Sequence, residues 1–335
     1  MNKLIILLLM FLVLPLTSCK KEDEIIITPP LEDSLPEIDE DVFDDVVEVI
    51  KPKDEVILKV EDFLDHIYQP EISRIKFNTY NNINQSYSLL YFIDVSDIKI
   101  DKKLVDKKYK STRPGTLRDK IDWIVIHDTG NNKPTATGLN HAQYITTSNP
   151  GVSWHYTIDE SLIYQHIPDN EVAYHAGDGL RPTGTKWYSS TYKKTNYGGG
   201  NYNGIGIETC VYNGIDYLET VVTTAKLAAK LLYQYNLPIE SLKRHYDFSG
   251  KNCPTVLINS NYFKDLVTLT SYYLEAYTIF QNVEIEYIVD NELKKYISND
   301  GIVSNEIIHQ KVIDYKVKVT YNGEEYIYNY QTKLK

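Results

Sequence analysis

Basic charge is in short supply. Thirty-five Lys and Arg stand against 46 Asp and Glu, a net charge of −11. Phosphate binding needs a basic surface, so the composition speaks against a nucleic-acid partner. Cysteine is scarce as well: Cys19, Cys210 and Cys253 are the 3 in 335 residues. The apolar run at residues 4–14 is too short for a comfortable membrane span. Phe is sparse, 8 residues against 29 Tyr. Rings with a polar tip suit strand surfaces and sugar-binding clefts, although a biased genomic composition gives the same count. Apolar content of 42% supports a sizeable core. A chain of 335 residues accommodates two domains, or one with appendages.

The N-terminus reads as a targeting segment, not as fold. Lys3 supplies a positive start, residues 4–14 an apolar stretch, and Leu16-Thr17-Ser18-Cys19 follows. That order resembles a bacterial lipobox. It implies a signal peptide over 1–18, lipidation of Cys19, and an extracytoplasmic protein held on the membrane by acyl chains. An ordinary signal peptide with a coincidental Cys is the alternative. Residues 22–48 carry twelve acidic and no basic side chains, with Pro29, Pro30 and Pro36. Such a stretch cannot bury enough surface to fold, so 19–48 reads as an acidic tether that gives an anchored domain reach.

Residues 49–110 have no assignable role; a helix is expected over 56–68 and a strand over 87–95. From 111 to 280 strands and helices mix, which predicts an α/β (α+β) domain on a single sheet. Its elements are a buried strand ending at His127, a helical stretch near Leu139–Ile145, and a hairpin of 152–158 with 162–167. A strand carrying Glu208, a strong helix over 218–235 and a further helix over 262–280 complete it. In Ile205-Gly206-Ile207-Glu208 the two Ile share one face, and Gly206 and Glu208 the other. Residues 282–335 alternate apolar and polar side chains, and Asn322-Gly323 is a hairpin turn signal, so a small C-terminal β module is expected.

Three side chains have metal-ligand chemistry. Imidazole and thiolate bind zinc, and a catalytic zinc site keeps three protein ligands and one open position. His127 ends a buried strand, and His245 and Cys253 flank a short loop containing Gly250. Two plainer roles remain open: satisfied core or surface histidines with an inert thiol, and a Cys210–Cys253 disulfide of the kind exported proteins form.

Several blocks together resemble the zinc-dependent N-acetylmuramoyl-L-alanine amidases, a family that includes phage endolysins, autolysins and peptidoglycan recognition proteins. They are Trp123-Ile124-Val125-Ile126-His127-Asp128-Thr129-Gly130, Ser153-Trp154-His155-Tyr156, Ile167-Pro168-Asp169-Asn170-Glu171-Val172-Ala173-Tyr174-His175-Ala176-Gly177, Gly206-Ile207-Glu208, and Arg244-His245 through Cys253-Pro254. The resemblance implies a mixed central β-sheet flanked by helices, with a zinc cleft on one face. It implies one Zn2+ held by His127, His245 and Cys253, and peptidoglycan as partner and substrate. Glu208 matches the catalytic base of the endolysin-like branch, and Lys251 the basic residue that supports the tetrahedral intermediate. His175, Trp154 and Asp128 match cleft positions near substrate. Some phage members carry a catalytic Tyr where Trp154 stands, so this chain should depend on Glu208. Members that bind peptidoglycan without cutting it typically lose the Cys ligand, and Cys253 is present. A monomer is expected.

Overall fold

The computed structural model describes residues 53–78, 83, 88–177, 199–304, 306–307 and 312–335. The proposed signal peptide, Cys19 and the acidic tether lie outside them. In chain order the elements begin with α1 (Glu55–Ile67), β1 (Glu71–Ile72), β2 (Ser88–Leu89), β3 (Ile100–Lys102), β4 (Trp123–Asp128), α2 (Gly138–Thr147), β5 (Tyr156–Asp159) and β6 (Leu162–Gln165). They continue with α3 (Gly200–Asn203), β7 (Gly204–Thr209), α4 (Tyr217–Gln234), β8 (Leu242–Arg244), α5 (His245–Ser249), α6 (Thr255–Asn259) and α7 (Phe263–Ile279). The last are β9 (Glu284–Val289), β10 (Ile302–Val303), β11 (Val312–Tyr321) and β12 (Glu324–Leu334).

A six-stranded mixed sheet runs in the order β3-β6-β5-β7-β4-β8. Its middle is parallel: β5, β7, β4 and β8 point the same way, while β6 runs back against β5 and β3 runs with β6. Parallel strands need cover on both faces, and their sequences read accordingly. Ile124, Ile126, Ile205 and Ile207 are fully buried in the main core, into which α4 packs Leu218, Val221, Val222, Ala225, Ala228, Ala229 and Leu232. These are the residues whose helical spacing marked that helix. Asp216 caps it, accepting a hydrogen bond from the Glu219 N–H. The structure is thus the mixed α/β fold expected from the sequence, with a central sheet, flanking helices and C-terminal strands.

The strand expected over 87–95 shrinks to Ser88–Leu89, paired with β10. The backbone beyond it finds other partners. Leu90 donates to the Gly301 carbonyl at 2.8 Å, and the Ile93 N–H and C=O both bond the Tyr287 hydroxyl at 2.9 Å. The region before residue 111 also meets both sheets. Strand β3 pairs with β6 at one edge of the six-stranded sheet. Strand β1 lies parallel to β12 at one edge of a second, four-stranded sheet, β1-β12-β11-β9. Helix α1 packs on α7, with Phe63 edge-on to Phe280 at 5.2 Å. Asn322 and Gly323 both take positive φ between β11 and β12, as a two-residue hairpin demands.

Among the described residues no helix is long and apolar enough to cross a membrane. Cys210 and Cys253 are both buried free thiols, so the disulfide alternative does not hold.

Candidate metal centre

In-register parallel pairing sets the site. His127 stands opposite Glu208, and Ile126 opposite Arg244, so the residue after Arg244 lies level with His127. That residue is His245. The carboxyl ends of three neighbouring parallel strands therefore deliver one imidazole each from β4 and from the end of β8, and one carboxyl from β7. In open α/β sheets this is where ligands bind.

Cys253 arrives from the loop after α5. Arg244 and Asp247 clamp the start of that short helix: the Arg244 N–H donates to Asp247 Oδ2 at 2.9 Å, and its guanidinium to Oδ1 at 2.7 Å. Gly250 closes the helix at φ 77°, a conformation that favours glycine. The Tyr246 N–H then bonds the Cys253 carbonyl at 3.0 Å, which folds the loop back. Asp128 fixes it from the other side. Its buried carboxylate accepts from the Val256 N–H at 3.0 Å, with the Thr255 and Gly130 amides beside it. Asp128, expected near substrate, has its side chain engaged in tying the Cys253 loop to the strand that carries His127.

The three candidate ligands converge. His127 Nδ1 is 3.1 Å from His245 Nδ1 and 3.8 Å from Cys253 Sγ. All three ligand atoms lie within 4.8 Å of one another, and all three residues are buried. Ligands at usual zinc distances and tetrahedral angles lie about 3.3–3.7 Å apart. The 3.1 and 3.8 Å spacings fall on either side of that range, and all three atoms lie within 4.8 Å, so small shifts would close them on one such ion. Glu208 Oε1 is 3.9 Å from His127 Nδ1, and Glu208 Oε2 is buried with no hydrogen-bond partner among the described residues.

Protonation argues for a cation as well. Burial holds His127 well below the usual imidazole range, helped by the neighbouring His245 and His175. Burial, then the Lys251 ammonium, lowers His245 to about 3. Both rings are neutral at pH 7, the form that binds metal. Burial pushes the Cys253 thiol and the Glu208 carboxyl well up, and nearby carboxylates add to each shift. Without a cation the pocket thus holds no ionised ligand; a divalent ion reverses that for the thiol. Lys251 is exposed on the rim. Its charge is felt at His127, His245, Asp128, Glu208 and Cys253.

His175 lies behind His127 and not out in the cleft. Its Nδ1 is 3.0 Å from His127 Nε2, and its Nε2 is 3.2 Å from the Gly204 carbonyl. A ring that orients a metal ligand from behind is a recurrent device of such centres. The ring lies against β7 because position 206 is Gly; a Cβ there would meet the His175 Cγ at 2.8 Å. Asn201 Oδ1 holds this segment by accepting the His175 and Ala176 N–H groups at 2.7 and 2.6 Å. Trp154 is not brought to the cluster. Its indole packs with Val105, Ile145, Ile167 and Ala173 and donates to Thr157 Oγ1 at 2.7 Å. Sequence reasoning assigned nothing to Arg113, Arg118, His155 or Asn201. Single polar residues in loops or in a helix as short as α3 have no period, and only their long-range partners give them meaning.

Fold and site define a class: a mixed α/β domain with a His-His-Cys cluster beside a buried carboxyl at the strand ends. Residues 117–256 match the family described as N-acetylmuramoyl-L-alanine amidase. Named relatives include N-acetylmuramoyl-L-alanine amidase CwlH of Bacillus subtilis (strain 168), 35% identical over 137 residues, 41% of this chain and 48% of CwlH. N-acetylmuramoyl-L-alanine amidase XlyA of the same organism is 31% identical over 150 residues, 45% of this chain and 44% of XlyA. The chain thus spans about half the length of the curated relatives it matches. Among solved structures, the catalytic domain of XlyA aligns at 28% identity and TM-score 0.44, covering 52% of this chain and 99% of that one.

Two outcomes are expected. First, the metal-free protein should lose stability as pH falls from about 6.5 toward 4. His127, His155, His175 and His245 all sit below their unfolded values, so the unfolded chain binds the extra protons. Each ring contributes up to about 1.4 kcal/mol per pH unit in that window. Urea midpoints across pH measure it; a flat profile would contradict the burial. Second, Gly206→Ala should displace His175 while the protein stays folded, and, if the cluster takes up zinc, should weaken that binding about 10–100-fold. Competition with a chromogenic chelator reads this out.

Proposed function

We propose that the protein is a zinc-dependent N-acetylmuramoyl-L-alanine amidase that hydrolyses the amide between N-acetylmuramic acid and the L-alanine of the peptidoglycan stem peptide. The observation that carries this reading is the convergence of His127, His245 and Cys253 beside Glu208 at the strand ends. The match of residues 117–256 to the amidase family and the names of the relatives supply the substrate class.

When bound, zinc would supply Lewis acidity toward the scissile carbonyl and lower the pKa of a water in the open position. The chain's own groups do the rest. Neutral His127 and His245 offer lone pairs, and Asp128 keeps Cys253 at bonding reach through its hold on the α6 amides. Glu208 has one oxygen 3.9 Å from His127 Nδ1, a second, buried oxygen without a hydrogen-bond partner, and a carboxyl whose proton affinity burial has raised. It is suited to take the proton of the attacking water and pass it to the leaving amine as the C–N bond breaks. Lys251 places a positive field over the same space, where charge develops on the carbonyl oxygen.

We place this activity outside the cytoplasm, on a membrane reached through lipidated Cys19. The support is the order of residues 3–19, a positive start, an apolar stretch and a lipobox-like end.

Purified protein should release free N-terminal alanine from isolated wall, and a chelator should stop it. Glu208→Gln should keep zinc and lower kcat by about 10²–10⁴-fold. Cys253→Ser should lose zinc and activity together. Wall binding without release of alanine, in a zinc-loaded sample, would sink the hydrolase reading and leave a binding module. Cys19→Ser should move the protein from the detergent phase to the aqueous phase of a phase-partition assay. An unchanged partition would refute the anchor.

A further inference from the structure

Arg118 is 8% exposed, yet among the described residues it has no carboxylate within ion-pair distance. Its donors go elsewhere. Nε donates to the Glu171 carbonyl at 3.1 Å, and Nη2 donates to the same oxygen. Nη1 donates to the Gly204 carbonyl at 2.9 Å, and His155 Nε2 donates to the Glu171 carbonyl that Arg118 also holds, at 3.0 Å. A buried guanidinium with no carboxylate at ion-pair distance is expensive, the Asp169 charge reaching it only from farther off, and an apolar side chain would fill the space at lower cost. Burial brings its pKa down only to about 10, so it stays charged at neutral pH.

What Arg118 holds is the far end of the chain of rings behind the metal cluster. The Gly204 carbonyl accepts from Arg118 Nη1 at 2.9 Å and faces His175 Nε2 at 3.2 Å. A carbonyl oxygen can only accept, so His175 carries its proton on Nε2. Its Nδ1, 3.0 Å from His127 Nε2, is then the acceptor, and His127 must donate from Nε2. The lone pair of His127 is left on Nδ1, the atom that faces His245 and Cys253. Arg118 pins the carbonyl on which this sequence of assignments depends. The same segment is held again one step away: Arg113 grips the Glu171 carboxylate through two bonds of 2.7 and 2.6 Å, and the Glu171 carbonyl receives Arg118. His155 completes the frame by accepting the Gly206 N–H at 3.0 Å on the strand that carries Glu208.

We propose that Arg118 is a positioning residue: by fixing the Gly204 carbonyl it holds His175 and His127 in the one tautomer pair that turns the His127 Nδ1 lone pair into the metal cluster. This rests on the zinc reading given above and adds to it a residue that touches neither metal nor substrate.

The test uses the full chain. Ring tautomers are read by long-range 1H–15N correlation, and zinc affinity by competition with a chromogenic chelator. In the wild type, His175 and His127 should both carry their proton on Nε2. Arg118→Met, which keeps length without donors, should bind zinc about 10–100-fold more weakly and show mixed His175 tautomers. Arg118→Lys, which keeps one donor to Gly204, should recover part of both. Three results would each overturn the proposal: His175 protonated on Nδ1 in the wild type, wild-type zinc affinity in Arg118→Met, or failure of both variants to fold, which would make Arg118 a core element only. A wild type that takes up no zinc would sink the metal reading instead. The tautomer spectrum of the metal-free protein would then still decide the role of Arg118.

Discussion

Register between three parallel strands is the constraint on which the site depends. Strands β7, β4 and β8 pair so that positions 208, 127 and the residue after 244 come out at one level. The buried Ile positions of β4 and β7 hold that register, because a slip of one residue would turn an isoleucine into the pocket and a ligand into the core. Hydrophobic burial on one face of the sheet thus aims the polar chemistry on the other. His245 follows directly on β8, whereas Cys253 comes from a loop held from both ends, by the Arg244–Asp247 clamp and by the Asp128 carboxylate.

The second constraint is electrical. The cluster is dry enough that no ligand is comfortably charged by itself. Imidazoles are kept neutral, and the thiol and the carboxyl keep their protons. Such a pocket is a poor place for an isolated charge and a good one for a cation that brings its own compensation. The rim Lys251 contributes at a distance, opposing the burial shift at Glu208 while disfavouring protonation of both histidines. One exposed ammonium therefore acts in the same sense on every group below it: toward the unprotonated, metal-binding or proton-accepting form.

Much of this was legible in the residues, for definable reasons. The alternation in Ile205-Gly206-Ile207-Glu208 gave the correct face for Glu208, and the helical spacing over 218–235 gave α4 nearly to its ends, because both patterns report burial directly. Turn chemistry at Asn322-Gly323 gave the β11–β12 hairpin for the same kind of local reason. The candidate trio His127, His245 and Cys253 was singled out by side-chain type and family resemblance, and the structure brings the three together, but the scaffolding around it was not legible. His175 and Asp128 were expected near substrate; the structure shows them bonded to the His127 ring and to the loop that carries Cys253. Trp154 sits in a small core because its neighbours Val105 and Ile167 arrive from distant parts of the chain. Arg118 carries no signature at all: its partners are backbone carbonyls 53 and 86 positions away, and carbonyls are written into every residue.

The edge pairing of β1 with β12 has a further consequence. Glu71 meets Lys333 and Ile72 meets Leu334, and the flanking amides reinforce the contact from Lys333 to Pro70 and from Lys335 to Ile72. Strands so remote in sequence cannot find each other until the intervening polypeptide has collapsed, whereas β11 and β12 are joined by a two-residue turn. The four-stranded sheet should therefore be completed late, its outermost strand closing like a clasp over an already assembled hydrolase-like body. Excising residues 117–256 alone would leave α7 and that clasp behind, so the limits of the recognisable domain are not the limits of the cooperative folding unit.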